Sequence, residues 1–180
     1  MLKRIFCFVC FCVFFSCNSV SENEAEIEKL EVDFKVIRFD QKFAQASEAS
    51  LPDLKKQYPF LFPERFPDSL WITKLSDTIQ LEINREVEKI FPEFTNETDE
   101  FHSLFQHVKY YFPGFQVPDV ITVTSEVDYK NKTIYTGDFL FVSLDTYLGA
   151  DHPFYIGIQE FLKKNFNKEQ ITVDTAAEIA

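Results

Sequence analysis

Few residues in this 180-residue chain have types and spacings suited to chemistry. There are three histidines, His102, His107 and His152. His102 and His107 stand five apart on a segment that reads as helix, which sets them roughly 140° apart around its axis. Zinc ligation from one helix uses i and i+4, as in HExxH, and no such motif occurs in the sequence. Both are expected at the surface beside an apolar stripe. His152 lies with Asp145 and Asp151 around Gly149. Carboxylates and an imidazole converging on a loop could hold a divalent cation. The simpler alternative is preferred: Asp145 caps a turn, Gly149 closes it, and Asp151-His152-Pro153 leads into the next helix. Four glycines leave no phosphate-cradling loop, and no serine sits in a G-x-S-x-G elbow. No catalytic residue, resident metal or cofactor is assigned.

The elements that would position these residues centre on 118–155. Ile121 and Val123 alternate with Thr122 and Thr124, the pattern of a half-buried strand. A polar turn through Asp128, Lys130 and Asn131 leads to a short strand at 133–136, and Gly137-Asp138 reads as a turn. Residues 139–144, FLFVSL, are apolar on both faces, as in a central strand covered from both sides. Upstream, 32–39 predicts a first strand and 40–46 a short helix. A short helix is expected around Pro52 to Gln57, then an irregular loop whose aromatics pack in the core. Asp68-Ser69 reads as a cap, and Ile72, Leu75, Ile79, Ile83, Val87 and Ile90 form the stripe of one helix ended by Pro92. A second helix from Glu97 carries Phe101, Leu104, Phe105, Val108, Tyr111 and Phe112 inward and stops at Pro113-Gly114. The short connection predicts an antiparallel hairpin of the two. Residues 154–166 predict a helix with Phe154, Ile158, Phe161, Leu162 and Phe166 inward. A last helix begins at Ile171, with Asp174 as its cap. The class expected is α+β, a small sheet packed by amphipathic helices, with Leu140, Val142, Leu144, Phe105 and Ile79 buried.

The N-terminus decides the compartment. Lys3-Arg4 precedes an eleven-residue apolar run, residues 5–15. Such a run suits a secretory signal and is too short to span a bilayer, which takes about 20 residues. It ends at Ser16-Cys17, a junction that resembles a bacterial lipobox. The alternatives are an ordinary signal peptide, or an uncleaved anchor, with Cys17 incidental. All four cysteines, Cys7, Cys10, Cys12 and Cys17, fall in these seventeen residues, so the body of the chain can hold neither a disulfide nor a cysteine metal site. The expected division is a signal peptide at 1–16, a lipidated cysteine and flexible acidic tether at 17–31, and a globular domain at 32–180. The net charge is −11. Cleavage before Cys17 would remove Lys3 and Arg4 and leave 16 basic against 29 acidic residues, a net −13. That surface disfavours nucleic acid, whose phosphates need a basic patch, and a polybasic hold on anionic lipid.

Two long phrases carry a resemblance. DYKNKTIYTGDFLFVSLDTYLGADHPFY, preceded by LFQHVKYYFPGFQVPDVITVTS, and YPFLFPERFPDSLW further upstream resemble the gliding-motility lipoprotein GldB family. With the leader, the resemblance covers essentially the whole chain. It implies thioether lipidation of Cys17, cleavage before it and acylation of the new amine; several acyl chains on one cysteine anchor stably where one holds weakly. It also implies a periplasm-facing, non-enzymatic envelope component of the motility machinery, partnered by the membrane and by other envelope motility proteins, with neither membrane singled out. Family members are longer, so a C-terminally truncated member is expected. A sheet leading to D-x-x-L-G and then helices also looks like the upstream half of zinc peptidases that carry HExxH on the following helix. This makes a peptidase-like hydrolase, its metal site downstream of residue 180, the alternative.

Overall fold

The structure is a computed structural model and describes residues 22–180. The predicted signal peptide, Cys17 and the first part of the predicted tether lie outside the described residues. Four strands, β1 (Val36–Arg38), β2 (Asp119–Val123), β3 (Thr133–Tyr135) and β4 (Phe139–Ser143), form one sheet in the order β1-β2-β4-β3. β1, β2 and β4 run parallel, and β3 pairs antiparallel with β4. Among the described residues the α-helices are α1 (Glu22–Ile27), α2 (Phe39–Ala44), α3 (Leu51–Gln57), α4 (Asp68–Ser76), α5 (Thr78–Ile90), α6 (Thr95–Tyr111), α7 (Glu160–Lys163) and α8 (Ile171–Ile179). The α+β class expected from the sequence is the one observed.

Side chains alternate across a strand, so the sheet divides the apolar interior in two. Val120, Leu140 and Val142 face a core built with Ile83 and Val87 of α5, Phe101 and Phe105 of α6, Tyr147, Tyr155, Phe166 and Ile171. Ile121, with Val123, Phe139 and Phe141, faces a second core of Phe39, Phe43, Leu51, Tyr58, Phe62 and Trp71. Of the proline-interrupted aromatics of 58–71, Tyr58, Phe62 and Trp71 pack in this core, as expected, whereas Phe60 and Phe66 are exposed. β2 is not half-buried: Val120, Ile121 and Thr122 are all fully buried, because a parallel strand between β1 and β4 is covered on both faces. The β3–β4 connection turns at Gly137, whose φ of +91° suits a residue without Cβ.

Several helices depart from expectation. The long stripe of 72–90 is two helices, broken at Asp77. Asp77 takes an extended backbone, and its carboxylate accepts the Gln80 N–H at 2.9 Å, capping α5. The break rotates Ile79 to 63% exposure, and Ile90 is exposed as well. α4 starts at Asp68 after Pro67, with no side-chain cap. α5 and α6 do not form a paired hairpin. α5 packs on α2 and on the turn after β4, whereas α6 packs on α8 and α1. Tyr111 and Phe112, expected inward, are 61% and 67% exposed.

Residues 154–166 are not one helix. A 3-10 turn at Pro153–Tyr155 and the single-turn α7 are separated at Gly157, φ +90°. Tyr155 and Phe166 are buried, and Phe161 is exposed. Where the sequence predicts flexible tether, residues 22–27 form α1, and Ile27 is 1% exposed. The Gln106 amide of α6 donates to the carbonyls of Glu28 and Leu30 at 3.0 and 2.8 Å, fastening the segment that follows.

Candidate functional site

In a parallel sheet the chain leaves every strand at the same end, and ligands are commonly bound outside the strands' carboxyl ends. Here that end gathers Asp40 after β1, Thr124 and Ser125 after β2, and Asp145 after β4. Asp40 is buried and ion-paired with Arg38, whose Nε and Nη2 meet the two carboxylate oxygens at 3.0 and 2.8 Å. The Thr122 hydroxyl donates to the same carboxylate. Arg38 Nη2 also donates to the Phe91 carbonyl at 2.8 Å, tying the strand end to the end of α5. A buried ion pair with its remaining valences filled is a structural element.

Asp145, the carboxylate singled out in the sequence, is fully buried. Its oxygens accept the backbone N–H groups of Ser125 at 2.9 Å and Val127 at 2.6 Å, and the Ser125 hydroxyl at 3.4 Å. Burial pushes its carboxyl above the ordinary range, and the two N–H donors pull back against that shift. The loop it holds is strained: Glu126 and Val127 take φ of +57° and +61°, unusual for any L-residue and more so for a β-branched one. Asp145 thus holds a loop some twenty residues upstream, rather than capping the local turn at Gly149 as expected, because the parallel strand order sets the end of β2 beside the end of β4.

The other two members of the conceivable cation site do not join it. Asp151 is exposed. His152 accepts the Phe154 N–H on Nδ1 at 3.3 Å, which leaves Nε2 to donate to Glu86 of α5 at 3.4 Å. Glu86 is held below the usual carboxylate range, first by its hydrogen bond with Lys89 and then by His152. Among the described residues no three His, Cys, Asp or Glu side chains converge as metal ligands. His107 bonds the Ser103 carbonyl at 2.7 Å and Glu24 at 3.2 Å, and His102 is exposed.

Sequence reasoning missed a polar network between α5 and the end of β2. Gln80 is buried, and its amide donates to Asn84 at 2.7 Å and to Thr124 at 2.9 Å. Its Oε1 has no protein partner among the described residues. The signal was present in Asp77-x-x-Gln80, the capping-box spacing, which would have broken the long helix and turned Gln80 inward. Beside this network an open groove of about 770 Å³ runs between α2 and α5, past Gln41, Gln45, Leu81, Asn84, Arg85 and Glu88. A second missed network joins Lys132, Asp174 and Tyr147. Lys132 pairs with Asp174, Tyr147 donates to Asp174 at 2.8 Å, and the Lys132 ammonium lies 5.1 Å from the centre of the Tyr147 ring. Asp174, expected as a cap, instead lies in the first turn of α8 and docks that helix on the sheet.

Both buried carboxylates at the strand ends, Asp40 and Asp145, are consumed by structural hydrogen bonds, and no nucleophile–base pair accompanies them among the described residues. No helix among the described residues is long and apolar enough to cross a membrane. No curated protein and no solved structure matches the chain, so the likeness to zinc peptidases gains no support. The family described as "Gliding motility protein GldB" matches residues 20–180, nearly the full length. That match spans α1, both cores and every strand, and the chain belongs to the GldB family of gliding motility proteins.

Proposed function

We propose that this protein is a lipid-anchored, periplasm-facing component of the gliding machinery that works by binding other envelope motility proteins, not by catalysis. The family match over residues 20–180 carries the motility reading. The anchor is inferred from the eleven-residue apolar run ending at Ser16-Cys17. The non-enzymatic reading draws support from Asp40 and Asp145, the two buried carboxylates at the strand ends, whose oxygens are already committed.

The test is Cys17→Ser in the full chain, read by fatty-acid labelling and by colony spreading. Loss of label, loss of membrane association and loss of spreading are the expected outcome. Label retained in the Cys17→Ser protein would remove the anchor. Spreading unchanged when the whole protein is deleted would remove the motility role.

A further inference from the structure

We propose that the end of α6, Tyr111 and Phe112, docks on the surface of the same membrane that holds the anchor and fixes the orientation of the domain there. This deepens the lipid-anchor reading and depends on it.

The argument starts from the position of α1. This helix is fastened to α6 by Ile27, buried in the domain, by Glu24 on His107 at 3.2 Å, and by the Tyr110 hydroxyl on Glu26 at 3.2 Å. Cys17 precedes Glu22 by five residues. At most about 3.5 Å per residue, that chain reaches roughly 18 Å. Phe112 lies five residues beyond His107, about 7–8 Å along the helix axis. The covalent chain therefore keeps an acylated Cys17 within roughly 18 Å of Glu22, the first residue of the helix fastened to α6.

That terminus is built for an interface. Tyr111, Phe112, Pro113 and Gly114 are all exposed in succession. Tyr110 and Tyr111 stack edge-to-face at 5.1 Å, which stiffens the tip. Aromatic rings with an apolar body, one carrying a polar hydroxyl, settle at headgroup depth. The acids of the adjoining segment, Glu22, Glu24, Glu26, Glu28 and Glu31, make zwitterionic lipid the appropriate surface. Ile156 and Phe161, also exposed, lie outside α6, the helix on which α1 packs.

The measurement uses the full lipoprotein reconstituted in vesicles of phosphatidylcholine and phosphatidylethanolamine. With the leader removed and Cys17 acylated, the mature protein has no free thiol, so Tyr111→Cys can be spin-labelled alone, with Phe112→Cys as a second site and Ile156→Cys as reference. Labels at 111 and 112 should collide severalfold less with a water-soluble nickel chelate, and more with oxygen, than the label at 156. Nickel access at 111 and 112 equal to that at 156 overturns the docking while the protein still floats with the vesicles. So does shielding that appears only when a protein partner is added. A protein that does not float overturns the anchor, and the docking with it.

Discussion

Asp145 has no access to water, and its oxygens hold the N–H groups of Ser125 and Val127. Asparagine has nearly the same shape but would turn an NH₂ toward one of those donors. Asp145→Asn should therefore cost about 1–3 kcal/mol, the price of an unsatisfied buried group. Burial raises the Asp145 pKa, so the folded protein binds this proton more tightly than the unfolded chain does. The group's contribution is then full below the unfolded carboxylate value, about 3.9, and fades as pH rises through the higher folded value. Urea midpoints of both proteins between pH 4 and 7 check the sign: the wild-type advantage should shrink as pH rises. An advantage that grows with pH would show that the hydrogen bonds, and not burial, govern this carboxylate.

At the scale of elements, two substitutions in aliphatic stripes should behave oppositely. Leu140 is fully buried in the central β4, and Leu140→Ala should cost about 2–5 kcal/mol. Ile79 belongs to a stripe just as regular in the sequence, yet Ile79→Ala should shift the denaturant midpoint little, since the Asp77 cap has turned it to solvent. Equal losses at both positions would contradict the broken helix. Gly157 offers a cleaner test of backbone alone. A Cβ there would meet nothing within 4 Å, but φ is +90°. Gly157→Ala should thus cost about 1–2 kcal/mol from conformation, measurable by thermal melting. No loss at all would mean that the turn between the 3-10 segment and α7 can adopt another conformation.

For the whole molecule, the sheet separates two cores that share few side chains. Phe105→Leu in one and Phe43→Leu in the other should add within about 0.5 kcal/mol in the double variant, as distant sites do. A larger coupling energy would show that the sheet transmits repacking between its faces. The N-terminal segment belongs to this scale as well. Because Ile27 is buried and Gln106 of α6 holds the carbonyls of Glu28 and Leu30, the segment from Glu22 onward is part of the folded body.

The sequence determined local matters by itself. The strands at 119–123, 133–135 and 139–143 were legible because apolar runs, β-branched residues and turn residues act over a few positions. The shared phrases, the apolar run before Ser16-Cys17 and the lack of a chelating motif were equally local. What only the tertiary structure decided was which residues meet at long range. Periodicity says that a residue lies on an apolar stripe, not which neighbour will cover it, so Ile79, Tyr111, Phe112 and Phe161 were wrongly placed inward. It could not show that Thr122 would be buried beside Asp40, 82 positions away, or that an acidic stretch would pack as α1. Nor could it show that Asp145 would turn back on Ser125 and Val127 while His152 turned to Glu86. Those outcomes depend on the parallel strand order, which brings the carboxyl ends of β1, β2 and β4 together and leaves each buried polar group to find its partner there.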